Sequence, residues 1–200
     1  MKIIDAQGLD CPNPVILTKK ALENDKVGGV ITIVDNEVAK KNVEKLAKSL
    51  AYSVITETKT DSFEIKITKN EDKNTLPEPI VVGEEFDKGK NIVILCSSEY
   101  FGRGDEKLGS ILVNSFFYSL TEVNTLPKTI IFMNSGAKLT LKDSKILDSL
   151  RDLETKGCEI LTCGTCLNYL NKEEELVIGE ITNMYTATEV MMSSDNLITI

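Results

Sequence analysis

The chain has 200 residues and contains neither histidine nor tryptophan. Without histidine there is no Ser–His or Cys–His activation of a nucleophile, no imidazole acid–base chemistry and no histidine metal ligand. Long apolar runs are missing too. No stretch approaches the roughly 20 apolar residues that span a bilayer. The first ten residues, MKIIDAQGLD, place Asp5 and Asp10 where a signal peptide needs an apolar core. A cytoplasmic protein without a membrane partner is expected. Positive charge is in deficit: 23 basic residues face 31 acidic ones, for a net charge of -8. A binder of phosphate backbones needs a basic face, so no nucleic-acid partner is expected.

What the chain does have is sulfur. Cys11, Cys96, Cys158, Cys163 and Cys166 are an odd set in a chain read as cytosolic, which argues against a disulfide framework. Thiolate chemistry is the natural alternative, with no metal and no cofactor.

Hydrophobic periodicity divides the chain in two. Residues 1–70 read as β-α-β-α-β-β, with strands near 2–5, 30–34, 53–57 and 62–68 and helices near 12–23 and 36–51. That order predicts two helices packed on one face of a mixed sheet. Residues 71–90 hold two prolines and many acids and read as a linker, in which Ile80, Val81 and Val82 could add a short strand. From 91 onward, near-continuous apolar runs at 91–96, 128–133 and 158–162 alternate with helices expected near 106–121, 141–156 and 182–192. Further strands are expected at 177–179 and 197–200. The pattern predicts a flavodoxin-like parallel sheet with helices on both faces. Charge follows the same division. Residues 1–70 carry 11 lysines and 10 acids, whereas residues 91–200 carry 9 basic and 15 acidic residues.

Two cysteine sites stand out. The first is Cys11-Pro12-Asn13-Pro14, which follows a strand and a glycine turn and opens a helix. Proline suits the first helical turn, where its missing N–H is no loss. First-turn amides and the positive end of the helix favour an anion, so a sulfur placed there is favoured as thiolate or as persulfide, R–S–S⁻. Packing as a small apolar residue is the alternative.

The second site is Cys163-Gly164-Thr165-Cys166. In an open parallel sheet, ligand sites lie beyond the carboxyl ends of the strands. Segments 97–105, 134–136 and 163–166 should meet there. The first includes Gly102-Arg103-Gly104, whose glycines allow close approach and whose Arg103 could face an anion. In the Cys163/Cys166 pair one thiol can attack while the other resolves, with the helix start lowering the thiol pKa. A zinc site would need four ligands. Cys96 ends one strand and Cys158 begins another, which puts them at opposite ends of the sheet and makes core residues of both. A thioredoxin-like site would sit earlier in the fold. Two incidental cysteines near a turn remain an open alternative.

Gly8-Leu9-Asp10-Cys11-Pro12-Asn13-Pro14 on the β-α-β-α-β-β frame resembles the TusA/SirA-like sulfur carriers. The resemblance implies that Cys11 accepts a persulfide sulfur and passes it on, that Pro12 and Pro14 shape the helix start, and that Asp10 tunes access. Residues 91–200 resemble DsrE/DsrF-like domains, which implies a part in sulfur relay and assembly into homo-oligomers. The combination is similar to the YedF-type selenium metabolism family. It implies a sulfurtransferase-like carrier of sulfur or selenium. A cysteine desulfurase or other persulfide donor would load it, and a downstream acceptor protein would unload it. A thiol–disulfide oxidoreductase centred on Cys163/Cys166 and a non-catalytic regulator are the competing readings.

Overall fold

A computed structural model describes residues 1–23, 28–68 and 90–200. The chain splits into two compact units, Met1–Glu84 and Glu85–Ile200. The expected linker at 71–90, with its possible strand at 80–82, lies outside the described residues apart from Lys90.

The first unit contains β1 (Lys2–Asp5), α1 (Asn13–Leu22), β2 (Gly29–Val34), α2 (Glu37–Ser49), β3 (Ser53–Thr58) and β4 (Phe63–Thr68). The strands are ordered β1-β2-β4-β3. β1 and β2 run parallel and the other neighbours antiparallel. Alternation explains the burial. Val30, Thr32 and Val34 of β2 and Ile65 and Ile67 of β4 all point under the helices and are completely buried. Ala21 and Leu22 of α1 and Val43 and Ala47 of α2 close over them. Each large aliphatic side chain so buried contributes about 1.5–3 kcal/mol.

One polar pair sits in this core. The Thr18 hydroxyl donates to the Pro14 carbonyl at 2.7 Å and lies 2.9 Å from the Thr32 hydroxyl. Thr18 has one proton and spends it on Pro14, so Thr32 donates to Thr18. The pair fixes α1 to the centre of the sheet.

The second unit contains β5 (Ile92–Cys96), α3 (Glu106–Leu120), β6 (Thr129–Phe132), a 3-10 helix (Asn134–Thr140), α4 (Leu147–Thr155), β7 (Glu159–Cys163), α5 (Gly164–Leu170), a second 3-10 turn (Glu173–Glu175), β8 (Glu180–Thr182), α6 (Met184–Met192) and β9 (Asn196–Thr199). All its strand pairs are parallel, in the order β8-β7-β6-β5-β9. Ile94, Cys96, Ile130 and Phe132 pack under α3 and α4. Val93 and Ile131 pack under α6 on the other face. Burial on both faces is why these strands read as unbroken apolar runs. The layering is flavodoxin-like.

Two boundaries differ from expectation. The helix expected at 141–156 begins only at Leu147, because the apolar residues before it belong to the 3-10 helix and to a turn at 141–146. The strand expected at 177–179 forms at Glu180–Thr182. Ile178 is apolar because it is buried in the large core of this unit, not because it pairs in the sheet.

Candidate functional sites

Cys11 is exposed, on the loop between β1 and α1. Gly8 turns that loop at a positive φ of 69°, a conformation that costs glycine little. The Gly8 amide donates to the Asp35 carboxylate at 2.6 Å. Asp35 lies just past the end of β2, and this bond together with one from Asn36 holds its carboxyl below the usual range. Asn36 caps α2 by accepting from the Ala39 amide at 2.8 Å. The start of α2 is thereby brought beside the start of α1. Between them lies a pocket of about 180 Å³ lined by Asp10, Cys11 and Pro14 on one side and Asn36, Val38 and Asn42 on the other.

The helix start itself is a correction. Pro12 is the N-cap of α1 rather than its first helical residue, and the Cys11–Pro12 bond is cis. The first-turn amides are already engaged. Asn13 donates to the Asp10 carbonyl at 3.0 Å, and Val15 and Ile16 both donate to the Pro12 carbonyl at 3.1 Å. Pro12 and Pro14 have no amide to offer. The start of α1 therefore presents no open row of N–H groups beside Cys11.

In the second unit the three expected segments do come together. The Glu99 amide donates to the Ser135 hydroxyl at 3.2 Å, and the Asn134 amide donates to the Cys166 sulfur at 3.1 Å. Asn134 takes a left-handed φ of 51°. Gly136 is fixed close behind, since a Cβ there would overlap the Cys96 carbonyl. The Cys163 side chain lies near enough to the Cys166 sulfur to perturb its ionisation. Cys163 is the last residue of β7 and is buried, while Cys166 is half-buried.

The lowered thiol pKa expected for this pair is overturned at Cys166. Burial and the adjacent Cys163 sulfur push its thiol up, against the Asn134 amide, which pulls it down. Gly102, Arg103 and Gly104 form an exposed bend ahead of Asp105, the N-cap of α3. No described hydrogen bond or ion pair joins Arg103 to the cysteine pair. Cys96 and Cys158 lie at opposite ends of the sheet, at the end of β5 and just before β7, and both are buried. Burial pushes each thiol up to about 12.

Sequence reasoning missed Asn36, Val38 and Asn42 as neighbours of Cys11. A signal was present. β1 and β2 are successive strands of a β-α-β unit, so their carboxyl ends share one edge and both following helices start there. Asn134 left no such signal, because it acts through its backbone. Among the described residues there is no cluster of His, Cys, Asp and Glu suited to a metal, and no helix long and apolar enough to cross a membrane.

Comparison with known proteins bears on the first unit. Residues 2–69 match the family described as Sulfurtransferase TusA. A protein of Methanocaldococcus jannaschii named a candidate sulfur carrier is 39% identical over 71 residues, which are 34% of this chain and 95% of the relative. One of the same description from Archaeoglobus fulgidus is 35% identical over 74 residues, 34% of this chain and 96% of the relative. The solved structure of a SirA-like protein from Desulfitobacterium hafniense is 36% identical, covers 36% of this chain and 100% of that one, and has a TM-score of 0.33. These relatives are matched almost end to end within the first third of the chain. Through residues 2–69, the chain belongs to the TusA sulfurtransferase family.

Proposed function

We propose that this protein carries sulfur, or selenium by the same chemistry, as an adduct on Cys11 in the cytoplasm. The observation that carries the reading is an exposed thiol at the rim of a pocket between two helix starts, in a unit of a sulfurtransferase family. A cysteine desulfurase or other persulfide donor presents R–S–S⁻. The Cys11 sulfur attacks the outer sulfur, the donor leaves as a thiolate, and Cys11–S–S⁻ remains. A downstream acceptor thiol then takes the outer sulfur in the same way. Pro12 and Pro14 fix the loop, and Asp10 stands at the pocket mouth. Cys163 and Cys166 form a second station that exchanges with Cys11, in keeping with the resemblance of residues 91–200 to DsrE/DsrF-like domains.

The test is intact-protein mass spectrometry after incubation with a desulfurase and cysteine or selenocysteine. Wild type should gain one sulfur or selenium mass, and Cys11→Ser should not. Loading of Cys163 or Cys166 in Cys11→Ser at the wild-type rate would sink the relay. A second reading, a thiol–disulfide oxidoreductase, is favoured by the placement of Cys163 and Cys166 three residues apart across the junction of β7 and α5. It requires the pair to cycle reversibly against a thiol buffer in the absence of any sulfane sulfur.

A further inference from the structure

We infer that in the second unit Cys166 is the thiol that accepts sulfur and Cys163 the thiol that resolves it, so that the pair reduces a carried sulfane sulfur to sulfide. The inference rests on the carrier reading above, but not on Cys11, because any persulfide that reaches Cys166 will serve.

Access separates the two roles. Thiol–disulfide and persulfide exchange need an in-line approach of the attacking sulfur to its target. Cys163 is only 2% exposed, so a donor carried on a protein or peptide cannot reach it. Cys166 is half-buried beside Leu141 and Leu167 and keeps an open side. The Cys166 sulfur also has the only described backbone donor of the pair, the Asn134 amide at 3.1 Å. The segment that carries that amide is held by the bond from the Met133 amide to the Cys96 carbonyl at 2.9 Å and by the tight seat of Gly136. A fixed N–H is suited to a sulfur that becomes negative and then carries a second one.

Cys163 is placed for the second step and not for the first. It ends β7 while Cys166 stands three residues on, in the first turn of α5, the spacing at which one sulfur of a pair can reach an adduct on the other. In parallel register Cys163 pairs with Thr182, and both side chains project to the same face of the sheet. The Thr182 hydroxyl is buried and has no partner among the described groups. It is a donor available to a Cys163 thiolate.

The chemistry balances. The Cys166 thiol gives its proton to the outer sulfur of a donor R–S–S⁻, and the resulting thiolate attacks that sulfur, so that the donor S–S bond breaks, R–S⁻ leaves and Cys166–S–SH remains. Cys163 passes its proton to R–S⁻, and its thiolate attacks the inner sulfur. The S–S bond breaks, HS⁻ leaves with the electron pair, and a Cys163–Cys166 disulfide forms. The sulfane sulfur gains two electrons and the two thiols lose them. One turnover needs no other reductant, and repeated turnover needs an external dithiol.

The experiment uses full-length Cys11→Ser with glutathione persulfide as donor, so that only the second unit can react. Sulfide and intact mass are followed together over a single turnover. One equivalent of sulfide and a mass lower by two hydrogens, mapped to a Cys163–Cys166 disulfide, are expected. Adding Cys163→Ser should leave a stable one-sulfur adduct on Cys166 with no disulfide. Adding Cys166→Ser should leave neither adduct nor disulfide, with sulfide at the background of the variant lacking all three thiols. An adduct that accumulates on Cys163 in the Cys166→Ser protein overturns the assignment, as does sulfide release without a disulfide. Circular dichroism of each variant checks that it is folded. Loading of Cys11 in wild type, run alongside, separates the two readings. If Cys11 loads and the pair stays inert, this inference fails and the carrier stands.

Discussion

Thiol reactivity follows exposure and ionisation, and the five cysteines cover the range. Cys11 is exposed, whereas Cys96 and Cys158 are buried with thiols pushed up to about 12. Iodoacetamide at pH 8 should therefore label Cys11 first and reach Cys96 and Cys158 only when the second unit unfolds. Peptide mapping over time reads the order, and early labelling of Cys96 or Cys158 would contradict the burial. The same two thiols imply a pH dependence. Their folded pKa lies above the ordinary value of 9.0, so the folded state holds protons that the unfolded state releases. Their contribution to stability is complete below pH 9 and is lost as pH rises toward 12. Asp35 has the opposite sign. Its pKa is lowered chiefly by the Gly8 amide, so its contribution is present above the ordinary carboxylate value and disappears as pH falls through the lowered one. Asp35→Asn should speed hydrogen exchange at Gly8 and slow loading of Cys11 while leaving the thiol in place. At this scale the site is half legible in the sequence. Cys11 and its prolines form a contiguous motif, but the acceptor that ties down Gly8 is 27 residues away, and the donor to Cys166 is a backbone amide with no side-chain signature.

Elements meet at two polar devices in the first unit, and each gives a measurable energy. Asn36→Ala removes the cap of α2 and should cost about 1 kcal/mol in chemical denaturation. The damage should appear at the Cys11 pocket, since Asn36 lines it. The Thr18–Thr32 pair predicts an asymmetry. Thr18→Val leaves the Thr32 hydroxyl as a buried donor without an acceptor, a loss of about 1–3 kcal/mol. Thr32→Val leaves only an unused lone pair on Thr18 and should cost less. The double variant should recover part of the loss, because replacing both partners with groups of the same shape strands neither of them. Additive costs would show that the two hydroxyls do not interact. Element types and order are legible from periodicity throughout, since alternation in β2 and β4 and unbroken runs in β5–β7 state directly which faces are covered. The misreadings at 141–146 and 177–179 share one cause. Leu141, Ile146 and Ile178 are buried by turns and irregular backbone, and an apolar residue buried by a turn looks the same in sequence as one buried by a helix or strand.

At the scale of the whole molecule, the first unit has, among the described residues, a core of its own centred on β2, β4 and the two helices, and its relatives are matched almost end to end within it. A fragment of residues 1–70 should therefore fold alone, although a domain of this size is near the lower limit of what one core sustains. A cooperative thermal transition followed by circular dichroism would establish it. A fragment that stays unfolded would show that its own core is not enough. Loading should follow folding, because the residues that line the pocket with Cys11, among them Asp10, Pro14, Asn36 and Asn42, belong to this unit. With the same desulfurase, the fragment should acquire sulfur on Cys11 at the rate of the full chain. The two should part company afterwards. A fragment without Cys163 and Cys166 has no dithiol to reduce the carried sulfur, so its adduct should persist in the absence of acceptor, whereas the full chain should lose its adduct with release of sulfide. Equal persistence in both would confine the carrier to its first unit and leave the second without a share in the fate of the sulfur.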